Sequence, residues 1–171
     1  MATRPANDVA ERTAEPAVML HDLLKLSNRL MAPFSTYLAD RYRISLNEFR
    51  LLMTIGKLGT TASHEVAEMT GVNVMSVSRA VSALERDGRI SVETDPDNRR
   101  RKSLALTGEG KRLYAIMHPQ AEKVAQFLFS ELDERDLATL ERILATLIAT
   151  LEARDAEGNS RFLEETRPAD G

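Results

Sequence analysis

A chain of 171 residues with no cysteine has no disulfides, no thiolate metal sites and no cysteine-based redox sensing, and it is long enough to bury a core of its own. Aromatic residues make up 5% and tryptophan is absent, so that core must be aliphatic. The net charge of −3 argues against a polyanionic partner when read globally, but residues 71–112 hold nine Lys or Arg against six Asp or Glu, a cationic segment in an anionic chain.

Residues 1–16 are rich in Ala, Thr, Pro and charge, with no sustained apolar period, and read as a flexible N-terminal tail. They contain no signal-peptide core, and nowhere does an apolar run approach the roughly 20 residues of a membrane span. With cysteine absent, a cytoplasmic protein without membrane partners is expected.

Residues 17–43 carry an amphipathic helix pattern, with Leu23, Leu26, Leu30, Phe34, Tyr37 or Leu38, and Tyr42 on the inner face. Pro33 inside it is expected to kink or divide the helix. Ser45 followed by Glu48 is a capping box, with Ile44 and Phe49 in the staple positions. The helix it opens carries Phe49, Leu52, Met53 and Ile55 inward and ends near Leu58-Gly59. A short helix, about Ser63 to Met69, follows with Val66 and Met69 inward. Thr70-Gly71-Val72 then connects to a helix over Asn73–Arg86.

In that last helix Val74, Val77, Val81 and Leu84 recur at helical spacing and form the apolar face. The other face is short and hydroxyl-rich: Asn73, Ser76, Ser78 and Ser82, with Arg79 beside them. A solvated face usually carries long charged side chains; this one suits a helix that lies close against something polar. Two helices joined by a short glycine-containing turn make a helix-turn-helix, the second being the reading helix. His64, at the start of the first, is within reach of a phosphate or is an ordinary exposed histidine.

Asp87-Gly88 stops the reading helix. A strand over Arg89–Thr94, with Ile90 and Val92 on one side, leads into the turn residues Asp95-Pro96-Asp97-Asn98. Arg99-Arg100-Arg101-Lys102 then sets four cations side by side, Leu104 and Leu106 alternate in a return strand, and Thr107 is placed to cap the next helix. Helix, strand, basic hairpin tip, strand, helix is the layout of a winged helix. Its helix fits a major groove and its hairpin brings arginines to phosphates or to the minor groove.

A helix with Leu113, Ile116, Met117, Val124, Phe127 and Leu128 runs from about Gly108 to Ser130, with a kink expected at Pro119. Asp133 or Glu134 starts a last helix in which Leu137, Leu140, Leu144, Leu147 and Leu151 repeat at steps of three and four, widened by Ile143 and Ile148. A lone helix cannot bury such a seam, so it packs on the chain's own first helix or forms a subunit interface that includes it. The residues from about Asp155 on are polar and read as a frayed tail, with Phe162-Leu163 as a docking point.

The segment resembles the DNA-binding core of MarR-type transcription regulators. Val77-Ser78-Arg79, Leu84-Glu85-Arg86-Asp87-Gly88, Asp95-Pro96 with Arg99-Arg100, and Leu106-Thr107 carry the resemblance. One departure is Asn98, where many members place Asp two residues before the wing-tip arginine; Asn accepts a hydrogen bond without supplying charge, and Asp97 is the adjacent carboxylate. The resemblance implies a mainly α fold with a small β wing: a winged helix-turn-helix over 44–107, a dimerisation helix over 17–43, C-terminal dimerisation helices over 108–155 and a polar tail over 156–171. It also implies a homodimer on a pseudo-palindromic double-stranded DNA site. Asn73, Met75, Ser76 and Ser78 would approach bases or sugars, Arg79 a phosphate or guanine, and Asn98, Arg99, Arg100 and Arg101 would form the wing contact. A repressor released by a small, aromatic-acid effector is the regulatory pattern implied, with Met31, Phe34, Tyr37 and Met53 lining the cavity and Arg29 as anion partner. The same residues also read as ordinary core.

The three histidines, His21, His64 and His118, fall in separate predicted helices, and no metal-ligand spacing, nucleophile motif or phosphate-cradling glycine loop is present. No catalytic residue, metal or cofactor is therefore expected. A winged helix that binds protein, or DNA without an effector, remains the alternative within the same fold.

Overall fold

The computed structural model describes residues 15–94 and 102–168. The chain divides into two compact units, Met1–Ile116 and Met117–Gly171. The first contains α1 (Pro16–Tyr42), α2 (Leu46–Leu58), β1 (Thr60–Ala62), α3 (Ser63–Thr70), α4 (Val74–Arg86), β2 (Ile90–Thr94) and β3 (Lys102–Leu106). The helix α5 (Gly108–Leu128) runs from this unit into the second, which holds α6 (Glu134–Glu152) and α7 (Arg161–Glu165). The fold is mainly helical with one small antiparallel sheet.

The core of the first unit is aliphatic, as the scarcity of aromatic residues requires. Leu38, Ile44, Leu51, Leu52, Ile55, Val66, Val77, Leu84 and Leu104 are its fully buried large side chains. The Ser45 capping box forms as its sequence predicts: the Glu48 backbone N–H donates to the Ser45 hydroxyl, and the Glu48 carboxylate accepts from the Ser45 N–H. Phe34 of α1 meets Phe49 of α2 edge-on, ring centroids 4.8 Å apart, a preferred aromatic geometry.

Of the two outcomes expected at Pro33, division does not occur: α1 runs as one helix from Pro16 to Tyr42. Three expectations need correction. Met69 points outward and is 54% exposed; α3 is so short that Val66 alone fills its inner position. Val74 is likewise outward, and Ala80 takes its place among the buried residues of α4. The segment after Glu152 is not frayed throughout: Arg154 and Ser160 form a bridge, and Ser160 caps the short α7.

The sheet has the order β1-β3-β2. Its third strand, β1, has no alternating apolar pattern; it exists because Thr60, Thr61 and Ala62 pair with Ala105, Leu104 and Ser103. On the other edge Ile90 pairs with Leu106 and Val92 with Leu104, and the ladder runs out to Thr94 opposite Lys102. This fixes the root of the wing against the helices.

Arg89 joins three elements. Its Nη2 donates to the Tyr42 carbonyl at 3.0 Å and its Nη1 to the Arg43 carbonyl at 3.4 Å. These are the orphan acceptors at the C-terminal end of α1, where a cation is favoured. Arg43 ends that helix in the left-handed region, at φ 53°. The Arg89 carbonyl in turn accepts from the Thr107 N–H at 3.1 Å, just before α5. Thr107 donates its hydroxyl to the Gly88 carbonyl and accepts from the Gly110 N–H, capping α5 as expected.

Gly110 is required by this junction: a Cβ there would lie 2.0 Å from the Arg89 carbonyl oxygen, a backbone atom that cannot swing aside. A Cβ at Gly108 meets nothing within 4 Å. Gly110→Ala is therefore expected to lose about 1–3 kcal/mol of stability in urea unfolding, while Gly108→Ala stays within about 0.5 kcal/mol of the parent. Equal stability of both variants would contradict the close approach.

Candidate nucleic-acid interface

The reading helix is placed by its neighbours on both sides. Gly71, at φ 64°, closes α3 in the left-handed region, and buried Val72 pins the turn. Asn73 then caps α4, its Oδ1 accepting from the Ser76 N–H at 2.9 Å. Val77, Ala80, Val81 and Leu84 are buried, so the opposite face must look outward. That face is the ridge Met75, Ser78, Arg79, Ser82 and Arg86, all exposed, at the three- and four-residue steps of one helical stripe.

Of the DNA residues expected from sequence, Met75, Ser78 and Arg79 lie on this ridge. Ser76 does not: it is only half-exposed, on the flank, with its N–H bound to the cap. Asn73 is exposed, but its Oδ1 is already engaged, which leaves its amide N–H groups as the available donors. Asn98, Arg99, Arg100 and Arg101 lie outside the described residues. The strands that carry them, β2 and β3, flank that stretch with Thr94 paired to Lys102.

Between α3, α4 and β3 lies an open groove of about 340 Å³, lined among others by His64, Val74, Ser78, Ser82, Glu85 and Lys102. One wall thus belongs to the reading helix and another to the foot of the wing. Lys102 and Arg86 are exposed cations that extend the positive surface beyond Arg79, although Arg86 shares its charge with Asp87, Nε to Oδ1 3.0 Å. Among the described residues Glu85 is the one acidic side chain in the groove lining; a carboxylate there would repel phosphate and accept only from a donor such as the cytosine amino group.

The residues expected to hold an effector are only partly assembled. Met31 and Phe34 of α1 are half-buried, as is Met53 of α2; Tyr37 and Arg29 are exposed. Arg29 stands two positions from Met31, so the helix turns it to a different side. The guanidinium beside Met31 is that of Arg50, whose Nη2 lies 3.8 Å from the sulfur. Arg50 escaped sequence reasoning because a cation within a helix pattern carries no sign of its partner 19 residues away. Tyr37 meets the Tyr42 ring edge-on at 5.8 Å, and hydrogen bonding with the Tyr42 side chain raises its phenol above the usual range. Near the α5 cap, the Arg112 guanidinium grips Glu109 in two 2.7 Å bonds and holds its carboxyl below the usual range.

Among the described residues no group of three His, Cys, Asp or Glu is arranged to hold a metal ion, and no helix is long and apolar enough to cross a membrane. His21, His64 and His118 sit on α1, α3 and α5 respectively.

Comparison with known proteins matches residues 44–102 to the model of the MarR family. A curated relative, an uncharacterized HTH-type transcriptional regulator, YwaE of Bacillus subtilis (strain 168), is 22% identical over 102 residues, 60% of each chain. The match thus spans less than two thirds of that relative's length. Among solved structures, a mutant MarR from E. coli complexed with operator DNA is similar at a TM-score of 0.62, with 21% identity, over 77% of this chain and 91% of that one. Bordetella bronchiseptica BpsR, whose DNA binding is regulated by 6-hydroxynicotinic acid, is similar at a TM-score of 0.66, with 22% identity, over 76% of this chain and 98% of that one.

The two roles of Asn73 are separable. Asn73→Ala removes the cap and is expected to lose about 1 kcal/mol of stability, whereas Asn73→Ser keeps a capping oxygen and stays near the parent. Urea unfolding of the pair checks this; equal loss in both would show that the side chain does not stabilise α4 as a cap.

Proposed function

We propose, for a chain whose residues 44–102 carry the MarR family's winged helix, that it is a transcription regulator that binds double-stranded DNA as a homodimer. The observation that carries the reading is the outward ridge of α4, small, hydroxyl-bearing and cationic, next to strands whose connecting segment is rich in arginine. Small residues let the helix backbone approach the base edges, and the guanidinium of Arg79 supplies either a phosphate contact or a bidentate contact to guanine. The operator complex of the E. coli MarR mutant supports the same use of a similar fold.

Dimerisation is proposed from the uncovered apolar seam of α6. Leu137, Ile143, Leu144, Leu147, Ile148 and Leu151 are all exposed, and α6 has no buried residue. At the end of α5, Phe127 is 85% exposed. Surfaces of this kind are stable in water only when covered. A second copy, with its own identical seam, provides an isologous cover and at the same time the two-fold symmetry that a pseudo-palindromic site requires.

Repression and its relief by a small aromatic acid form the regulatory part of the proposal. Support comes from BpsR, regulated by 6-hydroxynicotinic acid, and from the partly buried Met31, Phe34 and Met53, with Tyr37 and Arg29 on α1 and Arg50 beside Met31. Such a ligand releases DNA only to the extent that it prefers the arrangement that does not bind.

The wing contact proposed for Asn98, Arg99, Arg100 and Arg101 is tested at Arg100 by salt titration. Arg100→Ala is expected to weaken binding to specific and random duplexes alike and to reduce the slope of log affinity against log salt by about one. Unchanged affinity and slope on both duplexes would reject that role.

A further inference from the structure

Two apolar side chains stand almost fully in water at the start of the reading helix: Val74 is 73% and Met75 69% exposed. Neither serves the fold, because α4 is anchored by Val77, Ala80, Val81 and Leu84 and its first turn is closed by the Asn73 cap. The surface around them is not that of a protein-docking patch. Ser78 follows Val74 by one helical turn and lines the same groove, Lys102 lies on that groove's other wall, and the exposed Arg79 follows Met75 by one turn; two apolar residues beside hydroxyl and cationic groups match a polyanion that carries small apolar groups. A DNA major groove offers one such group, the thymine 5-methyl.

We infer that the protein reads thymine in its half-site through the side chains of Val74 and Met75. The inference rests on the DNA-binding reading above and adds the base it selects. Val74 lines the groove that α4 shares with Lys102 at the foot of the wing, while Met75 heads the outward ridge, so the two meet different base pairs. Val74 is branched and rigid, whereas the unbranched thioether of Met75 adapts to its surroundings. The base pair facing Val74 is therefore the more strictly thymine-containing of the two.

The test uses a duplex selected by the full-length protein, with each thymine of a half-site replaced singly by deoxyuridine, which removes one methyl group and leaves the pairing and charge intact. At fixed salt, one or two positions are expected to weaken binding by roughly fourfold per methyl. Val74→Ala is expected to lose the thymine–uridine difference at one of those positions. The side chain is exposed, so the variant should keep the parent's melting curve, and that curve is measured alongside. Equal affinity for thymine and uridine at every position, with salt-dependent binding intact, overturns the inference and leaves the DNA reading standing. Failure to bind any duplex at low salt overturns both.

Discussion

The placement of α4 depends on one buried stripe. Val77, Ala80, Val81 and Leu84 are committed to the interior, and a helix has only one face to commit in this way. Everything proposed for the opposite face follows from that commitment. Met75, Ser78, Arg79, Ser82 and Arg86 are outward because the stripe is inward, and the cap at Asn73 and the left-handed turn at Gly71 fix where the outward face begins. The helix is thereby held as a rigid probe whose working surface carries little of the folding energy. A surface of that kind is free to be shaped by a ligand instead of by the core.

The second constraint concerns how the winged helix is tied to its surroundings. Arg89 stands where α4 gives way to β2, yet its guanidinium binds the carbonyls of Tyr42 and Arg43 at the end of α1, and its own carbonyl receives Thr107 at the start of α5. Helix end, wing root and next helix start thus share one residue. Tyr42, whose carbonyl is one of these acceptors, packs its ring edge-on against Tyr37 of the same helix. A displacement of the last turn of α1 would therefore be felt directly at the base of the wing.

The sequence made the helices legible because their signals are local. The Ser45–Glu48 capping box, the Asp133 cap of α6 and the Thr107 cap of α5 all depend on neighbours a few residues apart, and all three form. Ile90, Val92, Leu104 and Leu106 alternate, and they pair. What escaped was set by distant partners. β1 has no strand pattern and exists only against β3; Arg89 reaches carbonyls 46 and 47 residues away; Arg50 meets Met31 from another helix. Val74 has the residue type and spacing of a core position, yet it is the first residue of α4 and is exposed, with Val77, Ala80, Val81 and Leu84 filling the interior instead.

The central claim is that two copies of this chain present their α4 ridges to one duplex. It is tested most directly by selecting from random duplexes with the purified full-length protein and weighing the complex formed on the enriched sequence. The account predicts an inverted repeat whose half-sites are centred about one helical turn, roughly 10 base pairs, apart, bound by two chains per duplex. An enriched site without two-fold symmetry, a single chain per duplex, or no enrichment above random DNA would contradict it.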